Sequence, residues 1–157
     1  YETEVNAFAP MDAAGTITNT AVVSGGGITP ITVTETIGTE STPILTITKS
    51  VSPVPVTENG TLTYTFLIQN AGSAPADIGT DAVIVDTCNP LLSNLAVSFN
   101  GTAWAETTNY TYDETTGVFT TIAGQITVPA ATYTQNPATG VWTADPGVST
   151  LVVKGTI

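Results

Sequence analysis

The chain has 157 residues, 41 % of them apolar and only 10 % charged, and it sets thirteen acids against two lysines for a formal charge of −11. Such a surface repels phosphate backbones and anionic lipid, which disfavours nucleic-acid and membrane-surface functions, and no apolar run approaches the ~20 residues that span a bilayer. With no His and a single Cys, the sequence lacks the usual general base, an internal disulfide and a thiolate metal cluster.

About a fifth of all positions are Thr, which with Val and Ile favours pleated strands, and ten Pro and fourteen Gly punctuate the chain. Helical periodicity is nowhere sustained, so the expectation is an all-β chain. Dispersed acids, scarce Lys and abundant Thr read as an exported protein of the cell or spore surface, with any signal peptide already removed.

Residues 1–14 (YETEVNAFAPMDAA) lack periodicity and read as a flexible or extended lead, or as a further strand pressed on a partner. Alternation then begins. Ile17, Asn19, Ala21 and Val23 share one face, with Thr16, Thr18, Thr20 and Val22 on the other. After a turn at 25–27, Ile31, Val33, Glu35 and Ile37 alternate with Thr32, Thr34 and Thr36. Two strands joined by Gly predict a hairpin, and an isolated two-stranded hairpin is marginal in water, so this one needs a sheet to join. Its inward face is expected to carry Ile17, Asn19, Ala21, Val23, Ile31, Val33 and Ile37.

Residues 38–43 (GTESTP) form a short linker, and 44–51 (ILTITKSV) the first strand of a main domain, with Leu45, Ile47, Lys49 and Val51 on one face. Two prolines in 52–59 suit an edge or a strand changing sheets, and Asn59-Gly60 is a turn signal. The clearest strand is 61–69, with Leu62, Tyr64, Phe66 and Ile68 inward. A loop at 70–76 leads to an expected buried strand at 82–86, and another strand follows at 95–99. Two hairpins with related tips come next, YDETTGVFT at 112–120 and YTQNPATGVWT at 133–143. Short strands at this spacing favour a sandwich over a parallel sheet. The last stretch, 150–157 (TLVVKGTI), is still in strand pattern, which predicts an open sheet edge at the end of the domain.

From Ile44 onward the chain resembles the conserved repeat domain of bacterial and archaeal surface proteins designated domain of unknown function 11. The resemblance rests on LTITKSVSP at 45–53, the Asn59-Gly60 turn, LTYTFLIQNAGSAPA at 62–76, VIVDT at 83–87 and, as in Gram-positive versions, YTYDETTGVF at 110–119. Where such repeats often carry Leu or Phe after the Asp-Thr pair, this chain has Cys88. The resemblance implies an immunoglobulin-like β-sandwich, usually in tandem, in which a strand like TLVVKGTI is followed by a closing segment like GTITNTAVVSGGG. Here the closing segment stands before the domain. The expected organisation is therefore an N-terminal extension with donor strands at 1–43 and an incomplete β-sandwich at 44–157. Three readings of that order stand open: a subunit whose extension completes a neighbour, a fragment of a longer array, and an extension folded back on its own domain.

No nucleotide-binding or hydrolase motif occurs, no cofactor is implied, and Asp113-Glu114 reads as a solvated turn rather than a carboxylate pair. Calcium at Asp77 and Asp81 has no EF-hand spacing behind it, so no metal ligand is assigned. Cys88 reads as a small buried hydrophobe, and the sequons at Asn59, Asn100 and Asn109 as turn residues. One constellation is sharper. Lys49 falls on the apolar face of its strand and Asn19 on that of the hairpin, and Gram-positive domains of the kind this chain resembles carry Lys–Asn isopeptide bonds. A neutral amine attacks an Asn amide when a buried carboxylic acid polarises the carbonyl, and Asp86 is the acid assigned here, with Glu58 second. Against this stands the plain alternative that Lys49 lays its stem along the core and surfaces its head, with Asn19 in a backbone contact. The functional expectation is a surface-filament subunit with copies of itself as partners, catalysing nothing external. The alternative is an adhesive or ligand-binding repeat of a longer surface protein.

Overall fold

The computed structural model describes Glu2 and residues 16–38 and 41–157; apart from Glu2, the expected lead at 1–14 lies outside the described residues, as do linker positions 39 and 40. The fold is all-β, and every strand pair is antiparallel.

The clearest sequence signal becomes the centre of the molecule. In β4 (Thr61–Asn70) the inward Leu62, Tyr64, Phe66 and Ile68 are all buried, while the Thr between them face out. Burial of such side chains contributes roughly 1.5–3 kcal/mol each, which makes this strand the anchor of the core. On one side β4 pairs with β3 (Leu45–Ser52), and on the other with β12 (Gly147–Thr156), which pairs in turn with β6 (Ser93–Phe99) and then β7 (Thr102–Trp104). The second sheet has three strands in the order β5 (Val85–Thr87), β9 (Val118–Thr121), β8 (Tyr110–Asp113). The two sheets share one core, in which Leu151, Val153, Val97 and Phe99 meet Phe119, Tyr110, Ile126 and Val128, so the domain is a β-sandwich. Aromatic stacks lie along it, Phe99 on Trp104 at 4.9 Å and Tyr110 on Phe119 at 5.2 Å.

Two expectations are corrected. The C-terminal strand does not end on an open edge: β12 lies in the middle of its sheet, hydrogen-bonded to β4 on one side and to β6 on the other, with Ser149, Leu151 and Val153 buried. The stretch 82–86 is not a buried strand either. Pairing starts only at Val85, and Val83 and Val85 are exposed because they alternate with Ala82 and Ile84, which pack against the core, and so point to the solvent side.

The two related hairpin tips are real. Gly117 N donates to Asp113 O at 2.7 Å, and Gly140 N to Asn136 O at 2.8 Å, each closing the same five-residue turn with Gly at positive φ. Asp113 and Asn136 occupy equivalent positions and accept from the backbone two residues on, at 2.8 and 2.9 Å. The second tip joins β10 (Thr132–Gln135) to β11 (Trp142–Asp145).

The N-terminal strands form their own two-stranded sheet, β1 (Thr16–Gly25) with β2 (Ile28–Gly38), around a Gly26-Gly27 turn. Register pairs Ile17 with Ile37, Asn19 with Glu35, Ala21 with Val33 and Val23 with Ile31. Directly opposed residues share a face, so all seven residues assigned to the inward face from sequence stand together on one side. The other side is a Thr ladder, with hydroxyls 3.2 Å apart in Thr18–Thr36 and Thr20–Thr34. The apolar side is uncovered: Ile31, Val33 and Ile37 are each at least 60 % exposed.

Candidate functional site

The chemistry of the molecule gathers where the sandwich is open. In β3, Leu45, Ile47, Lys49 and Val51 sit opposite Asn70, Ile68, Phe66 and Tyr64 of β4, whose side chains are buried, so they too point between the sheets. Yet Ile47 is 51 % exposed and Val51 42 %. An inward-facing β-branched pair half in water means that the opposing sheet stops short: it ends at β5, and the inner face of β3 has no cover.

The uncovered strip is a seam divided in two. Leu45 and Ile47 line one cleft, of about 150 Å³, with Ile68 and Ile126 at its floor and residues 82–84 as its far wall. Val51, Tyr64, Thr87 and Asn89 line the other, of about 600 Å³, together with the prolines after β3. Lys49 reaches across between them. Its Nζ donates to both carboxylate oxygens of Asp86, at 2.7 and 2.6 Å, and lies 4.3 Å from the Tyr64 ring centroid and 5.6 Å from that of Phe66. Asp86 points inward because its cross-strand partner is the buried Phe119.

The electrostatics around the pair follow from partial burial. Desolvation pushes the Tyr64 hydroxyl above its ordinary range, with the neighbouring Cys88 and Asp86 adding to it, and Tyr64 donates to Asn89 O at 3.3 Å. Burial likewise raises the Cys88 thiol, Asp86 reinforcing this and Lys49 offsetting part of it. Cys88 is buried, with its N–H on Gly117 O at 2.8 Å, and fills space as the sequence reading has it.

Of the residues singled out from sequence, Lys49 and Asp86 are brought together. Glu58 is exposed in the turn before β4, and Lys49 takes Asp86 in its place. Asn19 stands on the apolar face of the hairpin, which contributes no residue to either cleft. Asp113 is a turn cap, accepting from Thr115 N, Thr115 Oγ1 and Thr116 Oγ1 at 2.6–2.8 Å, and these bonds hold its carboxyl down to about 2. Asp77 caps the single turn at Ile78–Thr80 through Gly79 N. Among the described residues no three His, Cys, Asp or Glu gather as a metal site.

One residue was missed. Asn70 is fully buried at the end of β4: its Oδ1 accepts from Ile44 N and Gly72 N at 2.9 Å, and its Nδ2 donates to Ala74 O at 2.7 Å and Pro129 O at 3.0 Å. It pins the start of β3, and with it the point where the hairpin departs. Gly72 completes the joint, because a Cβ there would lie 2.1 Å from Thr42 O. An Asn followed by Ala-Gly is the only sequence signal, and it reads equally as a loop.

Comparison of the chain with protein-family models, with curated proteins and with solved structures finds no match. The fold and the seam therefore define the class on their own: an antiparallel β-sandwich open along one side.

Proposed function

We propose that the protein is the structural subunit of an extracellular surface filament, polymerising head to tail by donor-strand complementation, with the β1–β2 hairpin of one copy filling the seam of the next. The observation that carries this reading is a pair of matching deficits within one chain. Among the described residues, the inner face of β3 lacks a cover, and the apolar face of the hairpin lacks a sheet to lie on. Strand addition satisfies both, and because hairpin and seam are different surfaces the contact is heterologous and propagates as a fibre. The resemblance to immunoglobulin-like repeats of surface proteins points the same way.

The Lys49–Asp86 pair gives the contact a covalent possibility. With the seam covered, the proton passes from Lys49 Nζ to the Asp86 carboxylate, since a desolvated site favours the neutral pair. The free amine attacks Cγ of the incoming Asn19, whose carbonyl the Asp86 acid polarises. The new Nζ–Cγ amide forms, the Cγ–Nδ2 bond breaks, and Nδ2 takes a proton from Nζ and leaves as ammonia.

Negative-stain imaging of the purified chain tests the filament, and denaturing electrophoresis of the same sample tests the bond. Regular filaments are expected, and a ladder of covalent multimers that Lys49→Arg, which keeps the charge but removes the nucleophilic amine, collapses to monomer while filaments remain. Soluble monomers at all concentrations would favour an adhesive or ligand-binding repeat instead.

A further inference from the structure

We infer the orientation and register in which a second copy's hairpin occupies the seam: β1 lies antiparallel beside β5, Asn19 and Glu35 sit over Lys49 and Asp86, Ile17 points toward Val51, and the Gly26-Gly27 turn lies at the Leu45 end. The inference rests on the donor-strand reading and specifies it.

Polar and apolar rows occur in the same order on the two faces. Counted from its open end, the hairpin face reads Ile17/Ile37, Asn19/Glu35, Ala21/Val33, Val23/Ile31, which is one apolar row, the polar row, then two apolar rows. The inner face of β3, read from its far end, runs Val51, Lys49, Ile47, Leu45, the same sequence of one apolar position, the charged one, then two apolar. Only one alignment sets polar on polar and every apolar row on an apolar row. Alignments that take the polar row off Lys49 set the Glu35 carboxylate against aliphatic groups, which is costly, and the reversed hairpin slid by one row keeps polar on polar but leaves Leu45 without a partner row.

Strand direction selects β1 over β2. Residues 82–84 wall the cleft at the Leu45 end, and Thr87 and Asn89 wall the one at the Val51 end, so β5 runs in the same direction as β3. In the alignment above, β1 runs opposite to β3, and hence antiparallel to β5, whereas β2 would run parallel. Antiparallel pairing is the more stable and is the pattern of every ladder in the molecule, so β1 takes the free edge of β5. With β2 outside it, the three-stranded sheet becomes five strands wide, matching the sheet it faces.

The length of the linker makes the occupant another copy. Residues 41–44 run on past Leu45, away from Val51: Ile44 O accepts from Ala71 N at 2.9 Å, and Ser41 Oγ lies 2.6 Å from Ser73 Oγ. From Ser41 back to Gly38 the chain reaches at most about 11 Å. In this register Ile37 sits level with Val51, about 20 Å from Leu45 along the strand. A chain's own hairpin cannot span that gap, so self-completion is ruled out for this orientation.

Cross-linking of mixed full-length chains reads the register. One chain carries Ile17→Cys, the other Val51→Cys or Leu45→Cys, all at positions exposed in the isolated chain, and a short bis-maleimide bridges those that meet. The expected result is a heterodimer for Ile17→Cys with Val51→Cys, at least tenfold more than with Leu45→Cys, and the reverse preference when Val23→Cys replaces Ile17→Cys. Filaments that cross-link with the opposite preference would overturn the register and leave the filament reading standing. Filaments with equal yields would overturn it too. Filaments in which no pair cross-links would overturn the register alone, and absence of filaments from every variant and from the unsubstituted chain would overturn both.

Discussion

Asn70 shows how much one side chain holds in place. Replacing it with Ala deletes four hydrogen bonds to three separate segments, of which the bond from Gly72 N is buried. At about 1 kcal/mol per bond, Asn70→Ala should cost roughly 4 kcal/mol, read as a lower urea midpoint. Asp113 makes a prediction of a different kind. Its carboxyl is held to about 2, below the ordinary carboxylate value, by three hydrogen bonds from Thr115 and Thr116. A depressed folded value means that the tip's contribution is fully present above pH ~4 and lost as pH falls through about 2. The carboxyl carbon shift of Asp113, followed by NMR, should titrate near 2, and Asp113→Asn, which copies Asn136, should keep the tip folded with no such titration. Lys49 was legible in the sequence because a charge at an apolar position breaks alternation. Asn70 was not, because its meaning comes from partners as distant as Pro129.

At the scale of elements, periodicity carried most of the fold. The alternation in β1 and β2 is so regular that the shared face was readable residue by residue, and the cross-strand register bears that grouping out. What periodicity could not reveal was sheet order. A strand of alternating Ser149, Leu151 and Val153 looks the same at an edge as in the centre, and placing β12 between β4 and β6 depends on contacts far apart in sequence. The apolar run at 82–86 misled for a different reason: its Val residues lie on the solvent face, alternating with Ala82 and Ile84, which pack against the core. The hairpin's two faces make the sharpest comparison. Val33→Asp on the apolar face should leave the melting temperature of the unassembled chain unchanged, because Val33 is exposed there, yet weaken assembly more than about tenfold through lost burial and a desolvated carboxylate. Thr34→Asp, on the Thr ladder one residue away, should alter assembly far less. Critical concentrations from sedimentation would separate the two.

For the molecule as a whole, the account is one of incompleteness. A five-stranded sheet faces a three-stranded one, the strip left bare carries an ion pair over two aromatic rings, and a two-stranded hairpin of the same chain presents a matching row pattern. The most direct test of the central claim is a cryo-electron-microscopy map of the assembled filament at a resolution that traces side chains. The account predicts that each seam holds β1 and β2 of the adjacent subunit, with Asn19 at Lys49 and the linker crossing from one subunit to the next. A map in which each hairpin lies in the seam of its own chain, or in which the seams stay empty between subunits joined elsewhere, would contradict it.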